Sequence, residues 1–365
     1  GTHTLTVSDL EERIVFTNGC FDILHTGHFE LLAEAKSLGG KLIVGINSDE
    51  SVRRFKGPKR PINNVNNRKK QLELLPWVDE VRLFNNTDYR GKQMRILVTG
   101  HEGFIGKNVA SYLQQQGHEV EGWEWQEGII PSTEDYDWCI HLGAISSTTY
   151  TDVNQILEQN FEFSVRLAQV CENFGTNFQY ASSASVYGPT VHFTEDGPLL
   201  PQSPYAWSKY MFDRFMNQYI DEFQIKIQGF RYFNVYGEGE EHKGDQASPY
   251  TKFAYQAKDN GVIKLFEDSN NYLRDFVCVD DICKLHEKMF DVDQSGIFNV
   301  GTGRPVSFET VAQSIVNKHG GDIEYIPMPE NVKSQYQKYT CADLTNLNSV
   351  VDMQWTNIED YINGK

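Results

Sequence analysis

Tyr205 and Lys209 stand four positions apart in the stretch YAWSK, and this pair could move a proton. On a helix the spacing places both side chains on one face, where the ammonium can lower the phenol's pKa from its ordinary value of about 10. Ser183, in YASSASVYG, can donate to the same oxygen. A YxxxK spacing is common by chance. The three groups together would suit proton exchange with a substrate hydroxyl during hydride transfer to a cofactor.

A glycine triplet supplies a candidate site for that cofactor. Gly100, Gly103 and Gly106 in TGHEGFIG follow the predicted strand MRILVT and open a helical pattern. Glu124 ends the next predicted strand. Strand, glycine turn, helix and a downstream acid together indicate a dinucleotide site.

Glu124 also predicts which dinucleotide binds. A carboxylate at this position accepts from the ribose hydroxyls and repels a 2′-phosphate, and residues 108–165 contain no lysine or arginine to offset it. We therefore expect NAD, with NADP as the second candidate. If Glu124 instead faces solvent and backbone groups hold the ribose, the two cofactors would bind alike.

A second motif lies near the start of the chain. His25 and His28, in NGCFDILHTGHFELLAEAK, are three apart with Gly27 between them. The pattern predicts a buried strand, IVFTNG, followed by a helix capped by Thr26, with His28, Leu31, Leu32 and Ala35 on one side. Two imidazoles at a helix N-terminus suit an α-phosphate and a leaving pyrophosphate. The alternative is one packed and one solvated histidine.

Each of these two motifs lies in a unit of predicted strand, glycine-containing turn and helix, and this order of elements occurs twice in the chain. Between them the polar, turn-rich segment FNNTDYRGKQ separates two domains, which we place at 1–93 and 94–365. The predicted fold class is α/β. It comprises two nucleotide-binding parallel sheets, the first small and the second a Rossmann-type domain with a smaller C-terminal substrate-binding region.

Composition restricts the classes of partner that the chain is expected to bind. The chain has 365 residues and a net charge of -17, which disfavours nucleic acid binding. Its six cysteines show no CxxC spacing, so we expect reduced packing residues and no metal site. No apolar run has the length of a membrane span, and the N-terminus lacks signal-peptide order. We therefore expect a soluble, cytoplasmic protein with no membrane partner.

Residues 13–84 resemble the cytidylyltransferase-like family, and within it the adenylyltransferases that activate a heptose 1-phosphate with ATP. The shared segments are TNGCFDILHTGH, LIVGINSDESVRRFKGPKRPI and WVDEV. The resemblance implies that His25 and His28 bind ATP phosphates, with Lys56, Arg60 and Arg68 as further candidates. The first domain ends at FNNTDYRGKQ, before the family's Lys-Gly-Gly-Asp-like segment and Ser-Thr-Thr run would follow, so ATP and Mg²⁺ are expected only if this domain is active.

Residues 94 to about 345 resemble the extended short-chain dehydrogenases, and within them the ADP-heptose 6-epimerases. The segments that carry the resemblance are HLGAISSTT, RYFNVYGEGEEHKG, KLFEDSNNYLRDFV, GIFNVGTGRPVSF and CADLTNL.

The resemblance implies a set of roles. Lys243 would be a second acid–base group opposite Tyr205, and Ser183 and Lys209 would complete the catalytic set. The implied substrate-binding residues are Asn234, Phe266, Glu267, Ser269, Arg274 and Tyr336. The implied cofactor-binding residues are Gly100, Gly103, Phe104, Ile105, Gly106, Glu124, Trp125, Leu142, Gly143, Ala144, Ser146, Asn160, Tyr205, Lys209 and Val235. Arg274 could instead form a structural ion pair, Tyr336 a surface ring and Lys243 a loop cation.

The resulting hypothesis is an epimerase that inverts an ADP-heptose through a transient carbonyl, fused to an adenylyltransferase-like domain for which residual activity and inactivity both stay open. We also expect a homo-oligomer, because a three-stranded first sheet leaves an edge to cover. Two alternatives stay open. The second domain could be another nucleotide-sugar epimerase or a dehydratase, although SSASVY lacks the acidic pair usual in dehydratases. The first domain could be a non-catalytic nucleotide-binding or assembly module.

Overall fold

A computed structural model describes residues 14–49, 52–53, 59–84, 93–147, 150–333 and 336–364. The chain divides into two compact units. One consists of Gly1–Arg90 and Asp293–Ser295, and the other of Gly91–Val292 and Gly296–Lys365.

The first unit contains a small parallel sheet with two flanking helices. Its elements are β1 (Ile14–Gly19), α1 (Thr26–Ser37), β2 (Lys41–Asn47), α2 (Val65–Glu73) and β3 (Glu80–Phe84). The strands lie in the order β1-β2-β3, all parallel. Alternate residues of β2, such as Leu42 and Val44, pack against Leu32 of α1 and Leu72 of α2. This alternation places the helices on one face of the sheet.

The second unit is larger and begins with a doubly wound sheet. Its strands are β4 (Arg95–Thr99), β5 (Glu119–Trp123), β6 (Trp138–His141), β7 (Asn177–Ser183), β8 (Ile227–Tyr232), β9 (Asn234–Tyr236), β10 (Val262–Phe266), β11 (Leu273–Cys278), β12 (Gly296–Val300), β13 (Pro305–Ser307) and β14 (Asp322–Ile326). Its helices are α3 (Phe104–Gln115), α4 (Val153–Ile156), α5 (Phe163–Phe174), α6 (Pro204–Tyr219), α7 (Pro249–Asn260), α8 (Val279–Lys288), α9 (Phe308–His319), α10 (Glu330–Lys333), α11 (Thr345–Asn348) and α12 (Ile358–Gly364).

Six strands of this unit form one parallel sheet in the order β12-β8-β7-β6-β4-β5. Strand β4 pairs with β5 on one side and β6 on the other, so the winding direction reverses between β4 and β6. Ligands of such sheets bind at the carboxyl ends of the strands beside this reversal. The loops after Thr99 and His141 lie there, which is where the glycine triplet and the HLGA segment stand in the sequence.

A smaller lobe follows in the same unit. Strands β10 and β14 form a parallel pair, and β11 lies between β9 and β13. A second apolar cluster fills this lobe, including Ile263, Phe276, Val311 and Ile362. The predicted α/β class with two parallel sheets is thereby confirmed. In the described part of the chain, no helix combines the length and apolar content needed to cross a bilayer.

Candidate functional site

The glycine loop joins β4 to α3 with almost no room for side chains. Gly100 has a φ of +74°, a left-handed conformation that favours glycine. A Cβ on Gly106 would lie 2.0 Å from the Gly100 carbonyl oxygen, whereas one on Gly103 would meet only that oxygen, at 3.3 Å. The space beyond Gly103 is therefore open. A pyrophosphate could approach this backbone at the N-terminus of α3, so the loop fits a dinucleotide.

Glu124 follows β5 directly and lies beside this loop. Its Oε1 accepts a 2.8 Å hydrogen bond from the Glu102 backbone N–H and lies 3.0 Å from Nδ1 of His101. The sequence did not single out His101, because nothing local indicates that it meets Glu124. Ile105 lies in the first turn of α3, and Trp125 follows Glu124 half-buried.

The loop after β6 forms the other side of the switch point. Leu142, Gly143 and Ala144 are half-buried, and Ser146 is exposed. Asn160 is buried and both accepts from the Ile145 N–H and donates to the Ile145 carbonyl, at 2.8 and 2.9 Å. Its side chain thus fixes the backbone of this loop.

Helix α6 carries Tyr205 and Lys209 against β7. The helix begins cleanly because the Ser203 side chain caps the Ala206 N–H and Pro204 occupies the first turn. Tyr205 is hydrogen-bonded to Ser183 at the end of β7. Nζ of Lys209 donates to the Ala181 carbonyl at 2.8 Å and lies 5.9 Å from the centre of the Tyr205 ring. The structure therefore brings these three side chains together.

The electrostatics of this group differ from the sequence expectation. Burial raises the pKa of Tyr205, the Asp213 carboxylate raises it further, and the Ser183 hydrogen bond lowers it. The expected lowering by Lys209 is absent because the ammonium points to Ala181. Burial also lowers the pKa of Lys209 to about 8, opposed by Asp213.

Asp213, which the sequence analysis missed, anchors α6 to the sheet. It is fully buried and accepts hydrogen bonds from Tyr180 (3.0 Å), Ser182 (2.8 Å) and Arg231 Nε (2.8 Å). Tyr205, Lys209 and Asp213 succeed one another every fourth residue along the helix. The four-residue spacing can be seen in the sequence, but the partners of Asp213 on β7 and β8 cannot.

Lys243 stands on the segment that follows β9. Its Nζ lies 4.5 Å from the centre of the Phe104 ring, in the first turn of α3. Burial lowers the pKa of Lys243, and Glu240 opposes the shift. Val235 lies half-buried in β9.

A cavity of about 1220 Å³ opens beside Ser183. Asn234, Arg274 and Tyr336 also line it. Arg274 is buried and lies 5.5 Å from the centre of the Tyr336 ring. Tyr205 and Lys243 are absent from the described residues that line this cavity.

A second cavity, of about 370 Å³, lies in the smaller lobe. Phe266, Ser269 and Tyr336 line it together with the basic residues Lys252 and Lys264. The Ser269 hydroxyl is buried and has no hydrogen-bond partner among the residues that the structure describes. Glu267 is exposed and lines neither cavity.

In the first unit, the two histidines meet at the start of α1. Their ring centres are 3.9 Å apart, and Nδ1 of His28 accepts from the His25 N–H at 3.4 Å. The helix begins at Thr26, so His25 and not Thr26 is the cap residue. Leu31 is exposed, because the buried face runs through His28, Leu32 and Ala35.

Arg60 and Arg68, two of the candidate phosphate-contact residues, make their contacts within the first unit. Arg68 is fully buried and donates to Cys20 O, Asn63 O and Asp49, so phosphate contact would require breaking internal hydrogen bonds. Arg60 is paired with buried Asp22 at 3.0 Å. Lys56 lies outside the described residues.

Comparisons with known proteins agree with both parts of this description. A model described as "NAD dependent epimerase/dehydratase family" matches residues 96–301, and one described as "Cytidylyltransferase-like" matches residues 16–163. The ADP-L-glycero-D-manno-heptose-6-epimerase of Alkalilimnicola ehrlichii is 37% identical over 300 residues, which cover 72% of this chain and 94% of that protein. The two-part resemblance read from the sequence is confirmed.

Solved structures match the second part. The ADP-L-glycero-D-manno-heptose-6-epimerase of Helicobacter pylori has a TM-score of 0.66 at 25% identity, over 77% of this chain and 97% of that one. The UDP-glucose 4-epimerase of Thermus thermophilus, in complex with NAD, shares the fold with a TM-score of 0.59 at 24% identity, over 70% of this chain and 92% of that one. The chain therefore belongs to the NAD-dependent epimerase/dehydratase family.

Proposed function

We propose that this protein epimerises ADP-D-glycero-D-manno-heptose at carbon 6 to the L-glycero form. The observation that carries the proposal is the Ser183–Tyr205 hydrogen bond, because Ser183 also lines the large cavity. A substrate hydroxyl held in this cavity at Ser183 would be within reach of the phenol. The 37% identical epimerase supports the choice of sugar.

Tyr205 and Ser183 act on the first hydroxyl proton. Ser183 holds the oxygen, and Tyr205 accepts the proton from it while hydride leaves the same carbon. Because burial and Asp213 favour the neutral phenol, proton removal by Tyr205 depends on the neighbouring ammonium of Lys209 once the site is filled. NAD bound at the glycine loop would supply reversible hydride transfer at this carbon.

Lys243 acts on the opposite face of the transient carbonyl. After the carbonyl group turns over within the site, the returning hydride reaches its other face and Lys243 supplies the proton. Its lowered pKa suits this role, since a less basic ammonium gives up its proton more easily. Inversion then requires no net oxidation.

The nucleotide is held by Arg274 and the aromatic residues around it. A buried guanidinium that faces a cavity and has no carboxylate partner among the described residues is suited to a diphosphate. Phe266, Ser269 and Tyr336 form an adjacent half-apolar pocket, and the unpartnered Ser269 hydroxyl can pair with a base edge. Asn234 lines the same cavity as Ser183 and Arg274 and would contact the sugar.

Turnover in deuterated water tests the reaction. The NAD-mediated route retains the hydrogen on carbon 6, so proton NMR should show the L-glycero product with no deuterium at that carbon. Deuterium at carbon 6 would reject the hydride route, and a product lighter by one water would identify a dehydratase instead.

For the first unit we propose a nucleotide-binding or assembly module derived from a nucleotidyltransferase, with no appreciable adenylyl transfer. The adjacent His25 and His28 rings support a retained phosphate site, while the buried Arg68 and the Asp22-paired Arg60 leave fewer cations for a triphosphate. ATP and Mg²⁺ belong to this unit only if adenylyl transfer is measured.

A further inference from the structure

The side chains of His101 and Glu124 meet at the rim of the glycine loop. Nδ1 of the imidazole lies 3.0 Å from Oε1 of the carboxylate, and the same oxygen accepts from the Glu102 N–H at 2.8 Å. His101 lies in the loop after β4, and Glu124 follows β5, the adjacent strand. The Glu102 N–H therefore holds one oxygen of this carboxylate by a hydrogen bond, and the imidazole lies against the same oxygen at ion-pair distance without hydrogen-bond geometry.

Gly122 makes room for this arrangement. A Cβ at that position would lie 2.1 Å from Cδ2 and 2.3 Å from Cγ of His101. The imidazole thus lies against the β5 backbone, in space that any larger residue at position 122 would occupy. The pair nevertheless remains open to a ligand, since 35% of the His101 side chain and 40% of the Glu124 side chain are exposed.

The position of this carboxylate matters for the adenosine ribose. An acid at the end of the second strand accepts hydrogen bonds from the ribose hydroxyls and opposes a 2′-phosphate. A carboxylate that is free to rotate could turn away from the phosphate and lose its geometry toward the hydroxyls. A carboxylate that is hydrogen-bonded to the Glu102 N–H and in contact with the His101 ring is restrained against both, so fixing it strengthens both preferences.

We propose that His101 is a positioning residue that fixes Glu124 and thereby sets the selectivity for NAD over NADP. The proposal rests on the dinucleotide site proposed above. Gly122 is part of this arrangement, because the absence of a side chain there leaves space for the imidazole. The arrangement affects the choice of cofactor and does not involve Ser183, Tyr205 or Lys209.

Dissociation constants of NAD and NADP, measured by calorimetry on cofactor-stripped full-length protein, test the proposal. In His101→Ala the ratio Kd(NADP)/Kd(NAD) should fall by about threefold, the scale of one half-exposed ion-pair contact. Glu124→Ala should lower the ratio at least as far, and the double variant no further, because His101 acts through Glu124. Gly122→Ala, which displaces the imidazole, should reproduce His101→Ala. His192→Ala removes an exposed histidine elsewhere and should leave the ratio unchanged.

Three results would overturn it. A parallel change of both constants in His101→Ala would mean a merely structural role. A ratio that rises would mean that His101 attracts the 2′-phosphate as a cation. Additive effects in the double variant would separate His101 from Glu124. Failure of the unaltered protein to bind either dinucleotide would instead reject the proposed cofactor site itself.

Discussion

Nζ of Lys243 lies 4.5 Å from the centre of the Phe104 ring, close enough for a cation–π contact. A second contact runs in parallel, since Nδ2 of Asn108 donates to both the Phe104 and Glu238 carbonyls, at 2.9 and 3.0 Å. The segment that carries the proposed second acid–base residue is therefore attached to the helix that opens at the cofactor loop.

Removal of either proposed acid–base group should stop epimerisation. Tyr205→Phe and Lys243→Met should each lower kcat by about a thousandfold, the scale of general acid–base catalysis, with the circular dichroism spectrum unchanged. Lys258→Met, at an exposed lysine, is the matched control and should retain activity. Normal turnover in Lys243→Met would remove that residue from the mechanism.

The buried ammonium of Lys209 should make stability depend on pH. Burial lowers its pKa from 10.5 to about 8, so between these values the unfolded chain holds more protons on this lysine than the folded chain. Stability therefore rises with pH in that window, and the cost of the buried charge is fully present below it.

Lys209→Met should abolish that dependence. The difference in unfolding free energy between the unaltered protein and this variant should shift in favour of the unaltered protein as the pH rises from about 8 to about 10. Urea denaturation across this range measures it. A difference that stays flat would show that Lys209 is not buried as an ammonium.

The first unit should not transfer adenylate at an appreciable rate. Full-length protein supplied with ATP, Mg²⁺ and heptose 1-phosphate should release pyrophosphate no faster than His25→Ala, because residues 1–93 contain neither the family's Lys-Gly-Gly-Asp-like segment nor its Ser-Thr-Thr run. A coupled pyrophosphate assay measures this. Rapid release that disappears in His25→Ala would contradict the expectation.

Arg68 should stabilise the first unit and do nothing for phosphate. Arg68→Met leaves the Cys20 and Asn63 carbonyls and the Asp49 carboxylate without their donor, at a cost of about 3 kcal/mol. Hydrogen exchange of β1 to β3 should accelerate in the full-length variant. Lys69→Met, at the exposed neighbouring position, should change little. Unchanged protection in Arg68→Met would contradict a structural role.

Copies of the chain should associate through the first unit. Edge strands expose unpaired backbone groups, and Ile14 at the start of β1 is 62% exposed. Ile14→Arg should weaken association in sedimentation experiments. Ile129→Arg, at a similarly exposed isoleucine of the second unit, is the control. Equal sedimentation of both variants and the unaltered protein would contradict this surface.

The amino-acid sequence by itself determined the features that depend on near neighbours. The strand, turn and helix at Gly100 to Gly106, the four-residue spacing of Tyr205 and Lys209, and the three strands of the first unit follow from local patterns. At Gly100 and Gly106 a Cβ would collide with backbone atoms. The same patterns supported the α/β class and the two-part resemblance.

Tertiary structure decided the features that depend on distant partners. Sequence spacing placed Lys209 beside Tyr205, but the Ala181 carbonyl, 28 positions away, is what its ammonium contacts. The sequence suggested Arg68 as a phosphate ligand. In the structure its guanidinium donates instead to the Cys20 carbonyl, which is 48 positions away in the chain. The meeting of His101 with Glu124 likewise follows from β4 pairing with β5. Which groups share a site, and with what charge, is set by packing between segments, because burial and hydrogen-bond partners exist only once the strands have assembled.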